Sequence, residues 1–203
     1  MREFARAPLV ARMAAGMIVG VMALAGCGSP PPMPPVTQVD ISRFMGDWYV
    51  IAGIPSWPER QSFNAVESYA LLPDGRIQTT FRYRHGGFGA DVETMRPVGT
   101  VQPDTGNAVW GMQFIWPIQA EYVIAYLDEH YPQTIIGRTK RDYVWIMART
   151  PSLPDAEYAR LVDKVRDLGY DPAQLRKVPQ QWPEQGPEQG AAPRTSPEPG
   201  KAH

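Results

Sequence analysis

The middle of this chain is cut into short pieces by turn signals. Pro73-Asp74-Gly75, His85-Gly86-Gly87, Pro103-Asp104-Thr105-Gly106, Trp116-Pro117, Glu129-His130-Tyr131-Pro132 and Thr139-Lys140-Arg141-Asp142 follow one another between Asp47 and Arg149. The pieces between them carry β-branched and aromatic residues, the composition of strands. Their spacing predicts eight antiparallel strands near residues 47–54, 63–72, 76–85, 91–102, 107–115, 120–128, 133–139 and 142–149. Strands joined by short connections give an all-β barrel or sandwich. The stretch Arg76–Arg84 alternates, with Ile77, Thr79, Phe81 and Tyr83 on one face and Gln78, Thr80, Arg82 and Arg84 on the other. One wet and one protected face suit a closed barrel wall, and closure removes exposed edges.

One helix is expected after the strands. Pro154 stands near its first turn, where a missing N–H costs little, and Asp155 and Glu157 suit the dipole there. Tyr158, Leu161, Val162, Val165 and Leu168 form an apolar stripe for packing outside a sheet. Gly169 is placed to cap the end. Residues 179–203 are rich in Pro, Gln, Glu and Gly, with Trp182 as the one large apolar side chain, and read as a disordered tail.

The N-terminus has the pattern of a targeting segment. Arg2, Arg6 and Arg12 precede an uncharged stretch over residues 13–26, shorter than the ~20 apolar residues of a bilayer span. That stretch ends in Leu24-Ala25-Gly26-Cys27, which resembles the lipobox of bacterial lipoproteins. The resemblance implies cleavage before Cys27, the only cysteine, and a lipid on its thiol. Gly28 follows where Asp would favour inner-membrane retention, so the outer membrane is expected, facing the periplasm. Residues 28–36, GSPPPMPPV, are expected to form an extended spacer holding the domain clear of the membrane. Cleavage would remove three Arg and one Glu and leave 17 basic and 20 acidic residues, a net charge of −3. With no basic face the chain lacks what nucleic-acid binding needs, and membrane attachment falls to the acyl chains. The folded part is expected over residues 40–178.

Gly46-Asp47-Trp48-Tyr49 is similar to the Gly-x-Trp-Tyr motif that opens the first strand of lipocalins. Residues 64–72 around Tyr69, Tyr122–Asp128 (YVIAYLD) and Asp142–Pro151 (DYVWIMARTP) follow in lipocalin order, and the last resembles the final strand of bacterial outer-membrane lipocalins and the apolipoprotein D group. The resemblance implies an eight-stranded antiparallel up-and-down β-barrel with one C-terminal α-helix packed outside. Trp48 would plug its narrow end, Gly46 would let the backbone pass close by, and Arg149 would lie on the indole face. Such a barrel has room for one small ligand. Its candidate lining is Glu67, Tyr69, Phe81, Tyr83, Met112, Phe114, Trp116, Tyr122, Ile124 and Trp145. Parity alone does not say which face of each strand is inside. Glu67, if inward, must be neutral or paired, and would then meet a polar headgroup such as a choline or an amine.

No constellation for catalysis is present. His85 and His130 sit in turn signals, His203 is terminal, and no metal-ligand or phosphate-loop motif occurs. No cofactor and no metal are expected. The reading is a lipid-anchored carrier of a fatty acid or lysophospholipid. Two alternatives stand beside it: an envelope interaction lipoprotein with a filled barrel acting through its surface or tail, and a barrel enzyme acting on a lipid. A homodimer is left open.

Overall fold

The computed structural model describes residues 30–56 and 59–184. One turn of helix, α1 (Ile41–Phe44), leads into β1 (Gly46–Ile54), β2 (Ser62–Leu71), β3 (Ile77–His85), β4 (Val92–Met95), β5 (Val98–Val101), β6 (Val109–Ile115), β7 (Ile118–Leu127), β8 (Gln133–Gly137) and β9 (Val144–Ala148). Helix α2 (Asp155–Asp167) and a two-residue strand β10 (Arg176–Lys177) follow. From β1 to β9 neighbours in sequence pair antiparallel, except that β4 and β5 both pair with β3; β9 returns to pair with β1, so the sheet closes, and β10 adds to β1. β4 and β5 occupy one position beside β3, giving eight strand positions around the barrel. The sequence reading had one strand over residues 91–102. The break falls at Arg96-Pro97, because Pro97 has no N–H for the ladder; its carbonyl instead accepts from the Thr79 N–H at 3.0 Å.

The alternation of β3 holds from Ile77 to Tyr83: Ile77, Thr79, Phe81 and Tyr83 are all buried while Gln78, Thr80 and Arg82 are partly exposed. Arg84, expected on the wet face, is buried as well, because the C-terminal segment covers it and Glu184 pairs with it. The wall therefore has an inside, and that inside divides by depth. At the end where β1 begins it is filled. Trp48 is fully buried and its indole N–H donates to the Phe44 carbonyl at 2.8 Å. Phe44 meets Trp48, Tyr69 and Trp110 at ring separations of 5.0–5.5 Å, and Trp110 stacks on Tyr122 at 5.2 Å. Arg149 closes this end from outside. Its guanidinium lies 3.8 Å from the Trp48 ring and donates to the carbonyls of Arg43, Phe44 and Asp47. Gly46 has φ +90°, and a Cβ there would stand 3.6 Å from the guanidinium, so glycine serves both the backbone conformation and the close approach.

Helix α2 packs outside through Leu161 and Val165, which join Val144, Ile146, Ala148, Ile135 and Val123 in a second apolar cluster. Gly169 follows it with φ +90°, the left-handed cap position.

Two segments depart from expectation. From Pro30 onward the proline-rich stretch does not stand clear of the domain. The Met33 N–H donates to the Thr139 hydroxyl at 3.0 Å, the Val36 N–H to the Ile124 carbonyl at 2.9 Å and the Val39 N–H to the Gly106 carbonyl at 2.8 Å. An extended chain has no internal hydrogen bonds, so its N–H groups are free for the barrel, and Met33 and Val39 bury against it. At the other end the chain stays on the barrel past Pro179, as far as Glu184, the last described residue. The β1–β2 ladder stops at Tyr49–Val66, which leaves backbone groups beyond it without strand partners. The C-terminal segment takes their place. Val178 donates to the Ile51 carbonyl, Pro179 accepts from the Asn64 N–H, and the Gln180 amide bridges the carbonyls of Val50 and Ala65. Trp182 packs edge-on against Tyr49 at 5.2 Å, and Glu184 pairs with Arg84 at 3.1 Å. The expected targeting segment, Cys27 and residues 185–203 lie outside the described residues.

Candidate functional site

The end opposite Trp48, where the connections after β1, β3, β6 and β8 gather, is hollow. A cavity of about 360 Å³ opens there, within the range of small-ligand sites. Six of the ten residues expected to line it do so: Glu67, Phe81, Met112, Phe114, Tyr122 and Trp145. The other four do not reach it. Tyr69 and Ile124 belong to the filled half, because parity says which face a residue takes but not how deep it lies. Tyr83 is inward and buried, but it stacks on Phe81 at 4.9 Å and donates its hydroxyl to Glu93 at 2.7 Å. Trp116 is 81% exposed; it stands in the β6–β7 turn, past the last residue on which strand parity acts.

Further residues complete the wall. Thr79 shares the parity of Phe81, a signal present in the sequence. Met95 comes from the end of β4, Pro97 from the break after it, and Ala120 and Glu121 from β7. Ser56, Glu59, Arg138 and Tyr143 come from connections, where no periodicity marks them. A second hollow of about 340 Å³ lies alongside, between β1, β2 and the C-terminal segment. It shares Glu59, Phe81 and Trp145 with the first and adds Arg60, Arg176 and Lys177 to its wall.

Polar groups stand at the base of the first cavity. Glu67 is 8% exposed and accepts a hydrogen bond from the Tyr69 hydroxyl, which in turn meets the Tyr122 hydroxyl. A phenol has one proton. With Glu67 ionised, Tyr69 spends its proton on the carboxylate, so Tyr122 donates to Tyr69. Burial pushes the Glu67 carboxyl up to about 7; the Tyr69 hydrogen bond opposes this and nearby Glu59 adds to it. Burial likewise raises Tyr69 and Tyr122.

The sign of the resulting pH effect follows from linkage. Between the ordinary value of 4.5 and about 7 the folded protein keeps a proton that the unfolded chain has lost. The Glu67 contribution to stability is therefore fully present below pH 4.5 and is lost as pH rises from there through about 7, a loss of about 3 kcal/mol. Glu67→Gln removes the titration. Urea unfolding should show its advantage over the native protein growing from pH 5 to pH 8; parallel pH profiles would contradict the placement of Glu67.

The architecture has relatives. A family model described as a lipocalin-like domain matches residues 39–180. The chain belongs to this family. Temperature-induced lipocalin-1 of Arabidopsis thaliana is 30% identical over 153 residues, 71% of this chain and 81% of that protein. The outer membrane lipoprotein Blc of Escherichia coli K12 is 28% identical over 179 residues, 85% of this chain and 96% of that protein. Among solved structures, insecticyanin from the tobacco hornworm superposes with a TM-score of 0.61 at 18% identity, covering 77% of this chain and 89% of that one. The cockroach allergen Per a 4 gives 0.59 at 17% identity, covering 76% and 96%. In this lipocalin the closed end is built around Trp48, Gly46 and Arg149, and the ligand-sized space lies at the other end. His85 and His130 are both exposed and neither borders it.

Proposed function

We propose that this lipocalin binds one single-chain lipid, in the size class of a fatty acid or lysophospholipid, with its chain in the open half of the barrel. The carrying observation is the hollow itself: a closed wall with Phe81, Met95, Met112 and Phe114 facing an unfilled space above a packed base. Each methylene moved from water to such a wall gains about 0.8 kcal/mol, so ten methylenes bring about 8 kcal/mol before ordering costs. A barrel filled along its whole length would offer no such gain, and the space in the open half argues against that alternative. Binding rather than catalysis fits a wall with no histidine or cysteine.

Leu24-Ala25-Gly26-Cys27 supports an acyl anchor on Cys27, and relatives named outer membrane lipoproteins support that membrane as the place. There the protein would store or carry lipid on the periplasmic side. Trp145 borders the cavity and reports occupancy. Titrating the purified protein with a lysophospholipid or a fatty acid below its micellar concentration should give a saturable change in tryptophan fluorescence. No saturable change with either lipid would overturn the proposal.

A further inference from the structure

The base of the cavity is chemically one-sided. Both phenol protons of the Tyr122–Tyr69–Glu67 chain are used within it when Glu67 is ionised, so the chain turns acceptors toward the space above. Among the described residues no group donates to Glu67 Oε1. Thr79 is 1% exposed, shares the cavity wall with Glu67, and its hydroxyl is without a partner. The two stand on neighbouring strands, where Glu67 is opposite Phe81 and Tyr69 is opposite Thr79.

The other charges bordering the cavity are already engaged. Glu59 accepts from the Ser56 N–H at 2.8 Å and the Trp145 indole N–H at 3.1 Å. Glu121 accepts from the N–H and hydroxyl of Thr139, and Arg138 pairs with Asp142 at 3.3 Å. Glu67 is thus the one carboxylate of this wall with neither a cation nor a backbone N–H upon it. Three carboxylates against one guanidinium also leave the wall net negative.

We propose that the cavity selects single-chain amphiphiles bearing a long-chain ammonium head, seated head-inward with N–H groups donating to Glu67 and Thr79. This rests on the lipid-binding reading above and narrows it. An ammonium supplies both the charge and the donors that the base lacks. The rings of Phe81, Tyr122 and Trp145 border the same space, and aromatic surroundings favour a cation; Met95, Met112 and Phe114 take the chain toward the mouth. A free carboxylate head offers neither donor nor favourable charge and would face Glu67 with like sign.

A matched twelve-carbon series separates the alternatives. Dodecylamine, dodecanol and laurate, each below its micellar concentration at pH 8, are titrated into the purified protein with tryptophan fluorescence as readout. The amine should bind at least tenfold more tightly than the alcohol, and the carboxylate more weakly than either. Glu67→Gln should bring the amine to within threefold of the alcohol, with near-UV circular dichroism and a cooperative thermal transition showing that the variant is folded. Thr79→Val should narrow the same gap by a smaller factor. Equal affinities across the series, laurate as the tightest ligand, or an amine preference that survives Glu67→Gln would overturn the head-group assignment with the lipid cavity intact. Failure of all three to bind would overturn both.

Discussion

Ala120→Trp should give a folded barrel that no longer takes up lipid. Ala120 lies on β7 opposite Met112 and borders the cavity. An indole at that position projects into space now empty, so it displaces ligand without pushing on packed neighbours. Overpacking a filled core costs about 1–3 kcal/mol, but here there is little to overpack. The thermal midpoint should therefore change by only a few degrees while lipid affinity falls at least tenfold in the fluorescence titration. Unchanged affinity would mean that lipid sits elsewhere. The obvious competitor is the tip around the β6–β7 turn, where Ile115, Trp116 and Ile118 are 69–81% exposed.

Trp48→Ala should do the reverse, costing stability and sparing the cavity. Trp48 has no exposed surface, and removing a buried Trp typically costs about 3–5 kcal/mol. The ring also carries the Arg149 guanidinium on its face and the hydrogen bond to Phe44. For a domain of this size each kcal/mol lowers the midpoint by about 2–4 °C, so a fall of about 6–20 °C is expected by calorimetry. Lipid affinity, measured well below that midpoint, should stay within threefold, because Trp48 packs on Phe44 and does not itself border the cavity. A loss of less than 1 kcal/mol would contradict Trp48 as the plug of the closed end.

Much of this was legible in the residues, and the misses share causes. Turn signals and the alternation of residues 76–83 announced the strands, because both are local patterns; the closed end around Gly46, Trp48 and Arg149 was legible only through the resemblance to lipocalins, because Arg149 is distant from Trp48 in the chain. Depth is not local. Tyr69 and Ile124 have the same inward sense as Glu67 and Tyr122, and only the barrel's filling places them below the cavity. Trp116 continued the parity of Trp110, Met112 and Phe114 on paper, yet the ladder ends before it. Glu59, Arg138 and Tyr143 reach the site from connections, whose course is set by closure of the sheet. Composition made residues 30–39 and 179–184 look like unattached spacer and tail. Single residues such as Met33 and Trp182 tie them down, because the barrel offers each a complementary patch.

The central claim is a location: lipid inside the open half of the barrel. The measurement that tests it most directly is photo-crosslinking with a single-chain lipid carrying a diazirine in its acyl chain, followed by peptide mapping. Adducts should fall on inward residues of β3, β6 and β7, at Phe81, Met112 and Ala120, and vanish in competition with unlabelled lipid. Adducts confined to the exposed β6–β7 turn or to the outer surface of α2 would contradict it.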